Sequence, residues 1–394
     1  MSTPGPFDPL GDLARLLQGQ GGFRWDAARQ LAQQMATGGE SEPNPDPLER
    51  IKLEQLARVA ELNVAQATGL ATSVTGRPVT VVPVNRSLWV HRSADAYQPL
   101  FQSLAESLSR GAAQAAETEG ESGGPDDQMG AWLANLMSAV APMMLSMTAG
   151  SLLGHLARRS FGQYDLPIPR PPSDELVLVM PNVQEFGEAW SLPGDDLLLW
   201  VCVHEIAHHS VLGIPHVRDS LTSLLATYAA GFRPDAGGFE ERLDDFRPDD
   251  PSSLASLQEA FADPEVLLGA IRSDEQRALL PRLEALVAVI VGYVDHVMDS
   301  VGERLIGSYR MLTEALRRRR VEADASDRFV EQLLGLELTQ SAYERGAAFV
   351  AGVKERAGDA GLERLWSSER DLPTPADVDA PGLWLARIEL PDTE

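Results

Sequence analysis

Five consecutive residues carry the chemistry of this chain: His204, Glu205, Ile206, Ala207 and His208. Two side chains four apart on a helix lie about 40° apart around its axis and about 6 Å apart along it. Both imidazoles can therefore grip one metal ion, with Glu205 beside them to take a proton from a water on that metal. Metal-activated hydrolysis is the chemistry this spacing points to. The pattern is short enough to arise by chance, as two core histidines and a solvated glutamate. The apolar run from Leu197 to Val203 that leads into it, and the additional His209, favour a metal site.

The helix that must present these groups is well delimited. Pro193-Gly194 followed by Asp195 and Asp196 supplies a start with acids in the first turn, and Gly213 and Pro215 supply the stop. A mononuclear zinc site needs a third protein ligand and an open position. The spacing HExxHxxGxxH is excluded, because Val211 and Ile214 stand where it has glycine and histidine. His216 lies beyond Gly213 and Pro215 and reads as a surface or substrate-facing group. A ligand from a separate helix is the alternative, and Leu283–Val301 is the candidate segment.

Composition bounds the rest. A chain of 394 residues can hold one to three domains. Its net charge of −25 argues against a nucleic-acid or anionic-membrane surface, since both demand clustered cations. The single cysteine, Cys202, excludes an internal disulfide and reads as a buried thiol. Residues 1–20 lack the basic and apolar regions of a secretory signal, so a cytoplasmic location is expected. Gly130 to Leu156 is uncharged and long enough to span a bilayer. Its Asn135, Pro142 and His155 favour two buried helices broken at the proline, so no membrane span is expected.

The expected fold class is mainly α with a minor β element. Residues 1–47 read as a poorly ordered arm with one short helix near Trp25–Met35. Residues 48–394 read as one domain, with a helical N-terminal part over 48–170 and the metal-site part over 171–394. Pro78–Val84 and Leu176–Met180 are the strand-like runs, and the second is a candidate edge for pairing with an extended peptide. Arg317–Arg320 lies among Glu314, Glu322 and Asp324 and reads as a solvated helix face. The acids between Glu240 and Asp250 lack the alternation of a calcium loop. Trp366 and Trp384 are expected to pin the C-terminal segment to the core.

His204–His209, Gly213–His216, Tyr228–Phe232, Gly292–Asp299 and Gly335–Glu337 resemble the motifs of an actinobacterial family of zincin-like metallopeptidases. Leu372–Thr374 and Pro381–Arg387 resemble it too, and the likeness spans roughly residues 75–390. The family's substrate is not established, and one branch is labelled as associated with coenzyme F420 biosynthesis. The resemblance implies a zincin-like fold with a large helical bundle and one zinc ion per chain. A zinc-dependent hydrolase is implied with it; from the motif's own chemistry, Glu205 is the expected general base and a peptide or protein the expected substrate. The family pattern has Glu immediately before Gly-Tyr-Val-Asp, where it would be the third ligand; this chain has Val291, which cannot bind zinc. Asp295, one turn on along the same face, is the best substitute, or it orients a histidine from behind. His296 is rotated about 140° from position 291 and reads as a supporting or surface group, as does His209. Tyr293, Tyr228 and His216 are candidate donors to a developing oxyanion, with packing the plainer role. A zincin that has lost its third ligand and binds a partner without cleaving it is the alternative function.

Overall fold

Helices dominate the residues that the computed structural model describes: 23–119, 143, 145–232, 273–322, 325–336 and 338–390. α1 (Trp25–Thr37) turns Ala28, Ala32 and Ala36 inward at four-residue spacing, so the arm's helix is part of the core. α2 (Pro47–Thr68) begins at a capping box, in which Asp46 accepts from Leu48 N–H and Glu49 reaches back to Asp46 N–H.

β1 (Thr80–Val84) and β2 (Glu175–Val179) pair in parallel with Val82 opposite Val177, and they are the two strands among the described residues. Parallel pairing needs a long crossover, and α3 (Arg86–Glu119) with the helical run 145–159 lies within it. The β2 edge expected to receive a peptide is already closed. Val177 N–H donates to Gln163 Oε1 at 3.2 Å and Val179 N–H donates to Phe161 O at 2.8 Å. Donors spent in this way cannot pair with an incoming strand.

α4 (Met180–Ala189), α5 (Gly194–Leu212) and α6 (Pro215–Ala230) follow. From Leu197 to Leu212, α5 is buried everywhere except at His204, which makes it the central rod of the molecule. Its first turn is tied down by Asp196, whose Oδ2 accepts from Ser308 N–H at 2.9 Å and Ser308 Oγ–H at 2.6 Å. The segment expected at Leu283–Val301 runs longer, as α7 (Asp274–Leu305).

After α8 (Tyr309–Val321) and α9 (Ala325–Leu334), α10 (Gln340–Arg364) packs on α7 backbone to backbone. A Cβ on Gly346 would run into Ala288 O, and one on Gly292 into the Gly346 backbone, so no other residue fits either position. α11 (Pro375–Asp379) and α12 (Pro381–Glu389) close the chain. The tryptophans hold this end as expected: Trp384 Nε1–H donates to Asp371 O at 2.7 Å, and Trp366 meets Tyr293 edge-on at 5.1 Å.

No single helix among the described residues is long and apolar enough to cross a membrane. Pro142 and the acids between Glu240 and Asp250 lie outside the described residues.

Candidate metal centre

α5 sets His204 and His208 one turn apart, with ring centroids separated by 4.4 Å. Trp200, one turn earlier, stacks on His204 at 5.1 Å, and Tyr164 lies parallel to His208 at 6.0 Å. The imidazole pair is thus held between two aromatic planes.

The hydrogen bonds decide which nitrogen of each ring carries a lone pair. His208 Nδ1 lies 3.2 Å from the His204 carbonyl oxygen. A carbonyl only accepts, so Nδ1 is protonated and the lone pair sits on Nε2. That Nε2 is buried without a hydrogen-bond partner. Nε2 of His209 and of His216 are buried without partners too, but only His208 has a second imidazole one turn away with which to share an ion. Burial, aided by the neighbouring His204, holds the His208 pKa well below the usual histidine range, so the ring is neutral, the form that ligates. His204 Nδ1 lies 3.4 Å from Glu205 Oε1, which likewise leaves its Nε2 as the free nitrogen.

Glu205 is fully buried and turned towards the loop 161–165. Its Oε2 accepts from Gln163 N–H at 2.7 Å and Tyr164 N–H at 3.2 Å. Gly162 is required there, because a Cβ would collide with the Glu205 carboxylate. Asp165 shapes the loop by accepting from Phe161 N–H at 2.8 Å and Gly162 N–H at 3.0 Å. Burial raises the Glu205 pKa, and the contacts with His204 and Gln163 only partly offset it.

A cavity of about 120 Å³ opens beside His204, lined among others by Asp165, Trp200, Arg319, Arg320 and Tyr343. The two arginines correct the solvated-face reading of their run. Arg318 does pair with Glu314 at 2.8 Å, one turn back. Arg319, however, lies over the Phe161 ring at 3.7 Å and reaches Asp165 at 3.5 Å, and Arg320 lies over Tyr343 at 4.1 Å. Leu312, Ala315 and Leu316 form the buried face of α8, and positions 319 and 320 continue it by three and four residues. That continuation was the available signal for both arginines; Tyr343 had none.

Asp295 does not join the imidazoles. Its two oxygens accept from Arg320 Nη2 at 3.2 Å and Nη1 at 3.3 Å. The pair borders a second cavity of about 40 Å³ that shares Trp200, Leu316 and Arg320 with the first. Position 295 faces α8, so its carboxylate meets a guanidinium there and not a metal ligand set. Among the described residues no three of His, Cys, Asp and Glu converge as a metal site. Glu337 lies outside the described residues.

The model of the zincin-like metallopeptidase family matches residues 24–385 of this chain. The chain belongs to that family. The match begins before α1, in keeping with a core that includes that helix. In structure the chain is similar to a protein from Chloroflexus aurantiacus whose crystal structure is described as that of a presumed hydrolase with a novel fold. The two superpose with a TM-score of 0.63 at 23% identity, over 94% of this chain and 100% of the other, which shows a shared fold. No protein of curated function matches the sequence. The family implies a zinc cofactor in general. Among the described residues the donors available to such an ion are the two imidazoles, one of them with a buried nitrogen without a hydrogen-bond partner, and no third donor joins them.

The other expected site residues of this zincin lie away from the cavity. His209 Nδ1 is 3.2 Å from the Tyr164 hydroxyl, and its Nε2 is 3.6 Å from Asp174 Oδ1. Burial opposes the Asp174 charge, but donation from Thr75, Val74 and Ser73 outweighs it and holds the carboxyl well below the usual range. His216 stands in the first turn of α6 with its Nε2 buried and without a hydrogen-bond partner. Tyr293 packs on Trp366, and burial pushes its phenol up to about 12. Tyr228 O–H donates to Gln332 O at 3.1 Å. His296 faces Lys354 Nζ at 3.3 Å. The Cys202 thiol is buried and its pKa is pushed up, which makes it an inert core group.

Proposed function

We propose that this zincin is a zinc-dependent hydrolase of peptide bonds that holds one ion through Nε2 of His204 and Nε2 of His208. The observation that carries the reading is the buried, partnerless Nε2 of His208, fixed as the lone-pair nitrogen by its Nδ1–H contact with His204 O. When bound, zinc supplies polarisation of a carbonyl and a water acidic enough to attack it near neutral pH.

The remaining work falls to the chain's own groups. Glu205 is the base in this reading: its raised pKa moves towards the range where a base works near neutrality, and its contact with His204 is at Nδ1, the ring edge opposite the nitrogen that would hold the ion. The N–H groups of Gln163 and Tyr164 hold its carboxylate in place until it takes the proton. Arg320 and Tyr343, on the cavity wall, are the donors available to a developing oxyanion, in place of Tyr293, Tyr228 and His216. A cavity of about 120 Å³ accommodates a side chain or a chain end, which suits a peptide or an unfolded segment as substrate.

A second reading is favoured by Val291 and by the Asp295–Arg320 pair: a zincin scaffold that holds a peptide without cleaving it. Metal content of the purified full chain, set beside cleavage of a quenched peptide library, separates the two. Zinc near one per chain, lost in His208→Ala together with cleavage, is the expected result. A chain that takes up no zinc from solution leaves only the scaffold.

A further inference from the structure

α2 carries two apolar stripes on opposite sides. The inner one, Leu53, Ala57, Ala60 and Val64, is buried and packs on α5 and β1. The outer one runs through Leu48, Ile51, Val59 and Leu62, which stand 71%, 54%, 42% and 69% exposed, with the exposed Gln55 at its middle. Single exposed apolar side chains are ordinary, but four aligned on one helix face mark an interaction surface. Counting from Leu48, the steps along the stripe are 3, 4, 4 and 3 residues, the same read from either end. Such a face is complementary to itself when two copies lie antiparallel: Leu48 meets Leu62, Ile51 meets Val59, and Gln55 meets Gln55. Charge agrees with self-pairing. Residues 48–62 hold Glu49, Glu54 and Glu61 against Arg50, Lys52 and Arg58, a neutral stretch in a chain of net charge −25. Arg58 is exposed and makes no ion pair among the described residues. In the antiparallel pairing it falls on the same edge as Glu54 of the second copy, within one helical turn. Lys52, on the opposite edge, is neutralised in its own chain by Asp195.

We propose that α2 docks on α2 of a second copy of this chain, antiparallel, with the two-fold axis passing between the two Gln55 side chains. The axis makes the interface isologous, so every other contact occurs twice. A lone polar pair in an apolar seam fixes register, and Gln55 supplies it, because a slip sets its amide against an apolar side chain. From Leu48 to Leu62 the seam is about 21 Å long. That length is at the small end of specific interfaces, so a dimer in exchange with monomer at micromolar chain concentrations is expected. The cavity beside His204 has no wall from α2, so the pairing stands apart from the zinc reading.

Sedimentation equilibrium of the full-length chain across the micromolar range is expected to show monomer and dimer in exchange. Ile51→Glu and Leu62→Glu should each weaken association at least about tenfold, because each removes two apolar contacts from the seam. Both side chains are exposed in the single copy, so thermal melts of the dilute variants should match the native chain. Register is read by cysteine cross-linking, in which the buried native Cys202 takes no part. Gln55→Cys should give a disulfide-linked dimer on mild oxidation, since facing backbones of packed helices come within disulfide reach on the axis. Arg50→Cys, about 140° around the helix, should not. This comparison keeps the test open if either glutamate variant does not fold. A native chain that is monomeric throughout the range, a dimer that persists in both glutamate variants, or equal cross-linking of Gln55→Cys and Arg50→Cys would each overturn the proposal.

Discussion

Two helices meet at this centre, and they treat their polar groups in opposite ways. On α5, His208 has used Nδ1 on a backbone carbonyl and left Nε2 buried without a partner. On α7, Asp295 has given both oxygens to Arg320. The first helix thus keeps a buried polar nitrogen without a hydrogen-bond partner, whereas the second presents a carboxylate already paired within the chain. His209, next in sequence to His208, differs in its neighbours: its Nδ1 faces the Tyr164 hydroxyl, and its Nε2, also buried without a hydrogen-bond partner, lies 3.6 Å from the Asp174 carboxylate.

The sharpest way to break the contrast is to alter the carboxylate beside the imidazoles. In Glu205→Gln, cleavage is expected to fall by about 10²–10⁴ in kcat/KM if the residue acts as the base. An amide nitrogen would also confront the N–H groups of Gln163 and Tyr164, so a stability loss of about 1–3 kcal/mol should accompany it in denaturant titrations.

The surroundings of His209 are tested through Asp174. Its folded-state pKa is depressed, so its contribution is complete above the unfolded value of about 4 and is lost as pH falls below that value. Asp174→Asn should therefore cost about 2 kcal/mol at pH 7, the scale of hydrogen bonds to a charged group. The gap between native and variant melting temperatures should begin to narrow below about pH 4 and close only as the pH falls through the much lower folded-state value. A gap that stays constant with pH would remove the carboxylate's charge from the account. Zinc uptake should be unaffected, because Asp174 supports His209 and not His208.

An effect of similar size, on stability alone, is expected in Gly162→Ala. The added methyl meets the Glu205 carboxylate and must push the loop 161–165 outward, at about 1–3 kcal/mol. If that variant melts like the native chain, Glu205 is not seated as described.

Much of α5 was legible in the sequence, because its start, its stop and the four-residue spacing of its histidines are all local signals. β1 and β2 were legible as two short apolar runs, but their parallel pairing across more than ninety residues was not. Nor was the closed edge of β2, because Gln163 and Phe161 reach it from a loop that carries no pattern of its own. Glu205 likewise takes its partners from 42 and 41 residues upstream. The Asp295–Arg320 pair joins two helices across 25 residues, and the run Arg317–Arg320 looks like a solvated face unless aligned with Leu312, Ala315 and Leu316. The sequence showed that Val291 could not ligate; it took the fold to show that Asp295 already has a partner.

Zinc K-edge X-ray absorption of the native full-length chain with one equivalent of zinc tests the central claim most directly. The account predicts a nitrogen and oxygen shell with outer scattering from two imidazoles, reduced to one or lost in His208→Ala. A spectrum without imidazole scattering, or one that His208→Ala leaves unchanged, would contradict it.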